Sequence, residues 1–163
     1  MKFEHYQFLK EQALAACAQD GRPYPDPAGI NPISLALIGD GVFSLYVRLR
    51  LLTVSGQVRI VHTIAARMVS AVMQAKAMEE LAGDFTVEEE MVIRRGRNAK
   101  SMTPKSASVA EYHLATAMEA LLGWLLLTDQ AARLEEIMEK SFKIIAAQMQ
   151  DGRLEAKEGK GEV

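Results

Sequence analysis

Two carboxylates stand out because each is the only charge in a long apolar stretch. From Asn31 to Val47 the chain reads NPISLALIGDGVFSLYV, and its sole charged residue is Asp40. From Tyr112 to Thr128 it reads YHLATAMEALLGWLLLT, and its sole charged residue is Glu119. Apolar residues surround most of the circumference of each segment, the pattern of a central, buried helix. A carboxylate there is expensive unless it is paired, hydrogen-bonded or bound to a metal. One such acid commonly caps a loop or meets an internal arginine. Two of them, each near a glycine, point towards chemistry. Asp40 lies between Gly39 and Gly41, and Glu119 has Ala115 one turn before it and Gly123 one turn after. Glycine costs about 1 kcal/mol in a helix interior relative to alanine, so its presence there predicts a close helix crossing with the two acids facing each other. Converging carboxylates suit a hard divalent cation such as Mg²⁺, which takes oxygen ligands and keeps several waters. A cation so held activates water and stabilises a leaving oxygen in phosphodiester cleavage.

A second pattern complements the first. From Met91 to Ala110 the chain has no acid, while Arg94, Arg95, Arg97, Lys100 and Lys105 are basic and Asn98, Ser101, Thr103 and Ser106 add neutral hydrogen-bonding groups. Clustered Arg and Lys bind phosphates without reading bases. The same run can also be an ordinary solvated surface. Gly96 is expected to let the chain turn at a helix end, leaving the basic groups on a protruding loop. Arg67 either joins this patch or forms an ion pair with Glu79, Glu80 or another acid. His5, His62 and His113 share no metal-ligand spacing, and Cys17 has no evident base partner. The run Glu88 to Glu90 is read as a favourable first turn of its helix.

The elements that position these groups read as all-α. One helix is expected over Phe3 to Ala18. Pro23, Pro25 and Pro27 then exclude helix or central strand. Asn31-Pro32 is an N-cap followed by proline at the first helical position, opening a helix to about Leu52. Further helices are expected over Val58–Leu81, from the capping box Thr86-Val87-Glu88-Glu89 to near Gly96, over Ser108–Leu127 and over Gln130–Gln150. Residues 1–150 form one domain, and 151–163 a polar tail expected to be disordered. Met68, Met73, Met78, Tyr112 and Trp124 are assigned to packing.

Composition sets bounds. A chain of 163 residues with 49% hydrophobic and 25% charged residues can bury a core of its own. The net charge of -2 conceals any nucleic-acid signal, which must be local. A single cysteine forms no internal disulfide, so a reducing cytoplasm is the expected setting. Charges scattered through the first twenty residues argue against a signal peptide. No apolar run approaches the ~20 residues that span a bilayer, so no membrane partner is expected.

The stretch Leu35-Ala36-Leu37-Ile38-Gly39-Asp40 resembles the first signature of the ribonuclease III family, and Met118-Glu119-Ala120-Leu121-Leu122-Gly123 resembles its second. Arg95-Gly96-Arg97-Asn98-Ala99-Lys100-Ser101, followed by Thr103-Pro104-Lys105, is similar to the Mini-ribonuclease III group, which has the catalytic domain without a double-stranded-RNA-binding domain. The resemblance implies the ribonuclease III endonuclease-domain fold, a helical bundle forming a symmetric homodimer. It also implies Mg²⁺-dependent cleavage of double-stranded RNA, with Mn²⁺ as a substitute ion. Ribosomal RNA precursor, matured for the large subunit, would be the substrate, with a ribosomal protein assisting. Asp40 and Glu119 match the catalytic, metal-binding acids. Arg67, Arg94, Arg95, Arg97, Asn98, Lys100, Ser101 and Lys105 are the candidate RNA contacts. Full-length family members carry a further acid where this chain has Ala36 and another where it has Thr116, so the metal site is leaner here. Ser44 stands where some mini proteins carry an acid. The apolar face around Phe43, Val47 and Leu51 is expected to meet the partner subunit. A rival reading is a non-catalytic RNA-binding or ribosome-assembly factor on the same fold, separated from the first by whether Asp40 and Glu119 converge.

Overall fold

The structure is a computed structural model that describes residues 26–99 and 107–158. Within these residues the chain forms six helices and no strand. They are α1 (Pro32–Leu52), α2 (Val58–Met68), α3 (Ala71–Glu80), α4 (Val87–Arg97), α5 (Val109–Leu127) and α6 (Ala131–Glu158). The helix expected over Phe3–Ala18 lies outside the described residues.

The starts follow from local side-chain chemistry. Asn31 Oδ1 accepts the Ile33 amide at 2.8 Å, and Pro32 occupies the first helical position. Thr86 and Glu89 close a reciprocal capping box on α4. Ser108 and Glu111 do the same for α5. Glu89 does more than favour its first turn. It is 2% exposed and takes Arg133 Nε at 2.8 Å and Nη2 at 3.0 Å, which ties α4 to α6. This pairing and the capping bond hold its carboxyl below the usual range, against the opposing effect of burial.

Two boundaries differ from the sequence expectation. The single helix expected over Val58–Leu81 is broken at Val69-Ser70, so α2 and α3 are separate. The apolar period runs through the break, which is why periodicity alone misses it. The last helix passes Asp151-Gly152 and continues to Glu158. Leu154, Glu155, Ala156 and Lys157 are strong helix formers that outweigh one interior glycine.

Helix α5 is the hub, contacting α1, α3, α4 and α6. Its Met118, Leu121, Leu122 and Leu125 are wholly buried, together with Phe43 and Val47 of α1 and Ile137 and Ile145 of α6. Met68, Met73 and Met78 join the same core. Phe43, Val47 and Leu51 are therefore internal, at 0%, 0% and 7% exposure, and do not form the expected outward face. The apolar residues that α1 leaves in solvent are Leu37, Leu45, Leu49 and Leu52. The difference is one of helical phase: a helix apolar all round gives no sequence signal for which stripe faces inward.

Candidate active site

The crossing of α1 and α5 is built on two glycines. A Cβ at Gly39 would run into the carbonyl of Glu119, and a Cβ at Gly123 would run into the carbonyl of Leu35. The backbones thus touch in both directions, as the spacing of small residues predicts. Gly41 takes no part, because the space around it is open.

This contact brings the two acids to one cleft of about 190 Å³, lined by Ile33, Ala36, Leu37, Asp40, Tyr112, Thr116 and Glu119. Ala36 and Thr116 both line it. Burial pushes the Glu119 carboxyl up to about 7, a bond from Gln74 opposes the rise, and the negative charge of Asp40 adds to it. Ser44 Oγ lies 3.4 Å from Asp40 Oδ1, one turn further along α1. Neither acid forms an ion pair among the described residues. No cluster of three or more His, Cys, Asp or Glu occurs there either. A donor set of two carboxylates beside an open cleft fits an ion that completes its shell with water and substrate phosphate. A larger cleft of about 560 Å³ opens along the later turns of α1, between Tyr46, Leu49, Arg50, Thr53, Val54 and Phe142, but it holds no carboxylate.

Gln74 of α3 is the site residue that sequence reasoning missed. It is 1% exposed, and its Nε2 donates to Glu119 Oε1 at 3.0 Å and to the Val69 carbonyl at 2.9 Å. The only signal in the sequence is a lone amide amid Ala71-Val72-Met73 and Ala75. Tyr112, assigned to packing, also lines the cleft.

The basic segment divides. Arg94, Arg97 and Asn98 are exposed at the end of α4. Arg95 is half-buried, and its Nη2 donates to the Ile30 carbonyl at 2.8 Å, so it holds the loop before α1. Lys100, Ser101 and Lys105 lie outside the described residues. Gly96 is no turn residue. It sits inside α4, where a Cβ would meet Thr116, Ala117 and Ala120 of α5, and the helix ends one residue later, before Asn98. This close packing places the basic end of α4 within one helical turn of Glu119 along α5. Arg67 is exposed, and no ion pair with Glu79 or Glu80 occurs among the described residues. No described helix is long and apolar enough to cross a membrane.

Residues 33–130 match the Ribonuclease III domain family. With its helical bundle and its paired acids, the chain belongs to the ribonuclease III family. Within that family it is similar to Mini-ribonuclease 3 of Symbiobacterium thermophilum, at 42% identity over 74% of this chain and 94% of the relative. It is likewise similar to Mini-ribonuclease 3 of Enterococcus faecalis, at 43% identity over 70% of this chain and 89% of the relative. A crystal structure of a Fusobacterium nucleatum protein has the same fold, with a TM-score of 0.66 and 25% identity over 71% of this chain and 93% of that one.

Proposed function

We propose that the protein is a divalent-metal-dependent endoribonuclease that cuts double-stranded RNA as a homodimer. The observation that carries this reading is the convergence of Asp40 and Glu119, both free of ion pairs among the described residues, on one cleft. Neutralisation of either acid by a neighbouring cation would have favoured the non-catalytic rival, and no such ion pair occurs among the described residues. Mg²⁺, or Mn²⁺ in its place, would be held by Asp40 and Glu119, and when bound it supplies Lewis acidity for phosphodiester hydrolysis. The chain's own groups do the rest. The apolar walls, Ile33, Ala36 and Leu37, limit the water around the carboxylates. Arg94, Arg97 and Asn98, with Lys100, Ser101 and Lys105, grip the RNA backbone, and Arg67 contributes from α2.

Each chain offers one pair of acids, and a duplex presents two strands, so cutting both in one encounter takes two copies. The α1 row of Leu37, Leu45, Leu49 and Leu52, exposed by 75%, 59%, 56% and 61%, is the face for a second copy. Leu37 also borders the cleft, so such an interface would lie next to the acids. The proposed substrate is precursor ribosomal RNA of the large subunit, cut in the cytoplasm with a ribosomal protein assisting. The relatives' shared name supports the ribonuclease assignment. The test is incubation with structured ribosomal precursor RNA, with and without Mg²⁺. Discrete double-strand cuts that vanish in EDTA and in folded Asp40→Asn support the reading. Binding without cleavage would favour the rival.

A further inference from the structure

Both hydrogens of the Gln74 amide nitrogen are engaged, one by a backbone carbonyl and one by a carboxylate. Helix α2 stops at Met68 and α3 starts at Ala71, and the Val69 carbonyl at the break is taken by Gln74 Nε2 at 2.9 Å. The second hydrogen on the same nitrogen goes to Glu119 Oε1 at 3.0 Å. Turning the amide over would set its oxygen against two acceptors, so only one orientation is compatible with the site. That orientation leaves Gln74 Oε1 buried with no hydrogen-bond partner. At 1% exposure the amide is out of contact with bulk solvent. A leucine or methionine would fill this volume without an unsatisfied oxygen. The amide therefore stays for what it donates.

We propose that Gln74 is a positioning residue that fixes the Glu119 carboxylate for the ion in the cleft, holding Oε1 from behind and leaving Oε2 to the ligand. The inference rests on the metal-site reading above and deepens it. The α2–α3 break is part of the device: it frees the Val69 carbonyl that anchors the amide, and so transmits the geometry of a third helix to a site built on α1 and α5. Groups that hold a metal ligand from behind typically govern affinity or activity by about ten- to a hundredfold.

The test is a calorimetric titration of Mn²⁺ into RNA-free protein. The proteins compared are the parent, Glu119→Gln, Gln74→Met and the double variant. Gln74→Met keeps the volume and loses both bonds. It is expected to bind Mn²⁺ about tenfold more weakly and to lower kcat while leaving KM for RNA unchanged. In the Glu119→Gln background the same change should have no further effect on Mn²⁺, because Gln74 acts through Glu119. Gln74→Asn, one methylene too short to span both acceptors, should weaken Mn²⁺ in the same direction. Mn²⁺ affinity within twofold of the parent in either folded variant overturns the inference and leaves the metal site standing. Loss of folding in both variants also overturns it, by making the amide a purely structural bond. If Glu119→Gln binds Mn²⁺ as the parent does, the metal-site reading itself fails, and this inference falls with it.

Discussion

Replacing Glu119 by glutamine should stabilise the metal-free protein, and by an amount that depends on pH. Burial moves this carboxyl from 4.5 to about 7. At about 1.4 kcal/mol per pH unit, the ionised folded form is disfavoured by about 3 kcal/mol. Because the folded-state value is raised, the favourable contribution of Glu119 is fully present below about pH 4.5. It is lost as pH rises through about 7. At pH 8 the folded parent holds a largely desolvated carboxylate with no ion-pair partner among the described residues. Glu119→Gln is neutral throughout and still offers an oxygen to Gln74, so it escapes this penalty. In EDTA, chemical denaturation should show the two proteins close at pH 5 and the variant ahead by up to about 3 kcal/mol at pH 8. That corresponds to roughly 5 to 10 °C in Tm for a chain of this size. Adding Mg²⁺ at pH 8 should raise the parent and leave the variant unmoved. A stability difference independent of pH, or a variant less stable at pH 8, would refute the reasoning.

Other perturbations follow from the same contacts. Gly39→Ala forces a methyl into the Glu119 carbonyl and should cost about 3 kcal/mol or more by denaturant unfolding. Gly41→Ala meets only open space and should stabilise the isolated fold by up to about 1 kcal/mol. Arg133→Met leaves Glu89 buried without its partner and should cost about 3 kcal/mol at pH 7. Because Glu89 is held low, that cost should shrink as pH falls below about 4.5. Arg94→Ala with Arg97→Ala should weaken RNA binding and flatten its salt dependence in a filter-binding titration, with Tm unchanged. Arg95→Ala should instead lower Tm, through loss of its bond to Ile30. Leu45→Glu with Leu49→Glu should convert a sedimenting dimer to monomer. A dimer that survives both charges would place the interface elsewhere.

How far the sequence discloses this molecule depends on whether each feature is local. Caps at Asn31 and Thr86 are legible because each is a side chain bonding to its own helix start. The close crossing of α1 and α5 is legible because a glycine inside an apolar helix costs stability unless a facing backbone needs the space. Gly39 and Gly123 do meet the facing backbone. Gly96 looks like a terminator by the same local logic, yet it is a packing glycine, and its partner α5 lies about twenty residues further along the chain. The break between α2 and α3 is hidden because Val69-Ser70 interrupts the backbone without interrupting the apolar period. Gln74 depends on that break, and its role becomes visible only when three helices are placed together. Arg95 reads as one more phosphate ligand in a basic run, but a backbone carbonyl 65 positions away claims its guanidinium.

The central claim is that Asp40 and Glu119 hold one divalent ion between α1 and α5. Anomalous diffraction at the manganese edge, from crystals grown with Mn²⁺, tests it most directly. The account predicts a peak in the cleft lined by Leu37, Tyr112 and Thr116, at direct ligand distance from both carboxylates, and absent in Glu119→Gln. An ion bound elsewhere with this cleft empty, or a peak unchanged in Glu119→Gln, would contradict it.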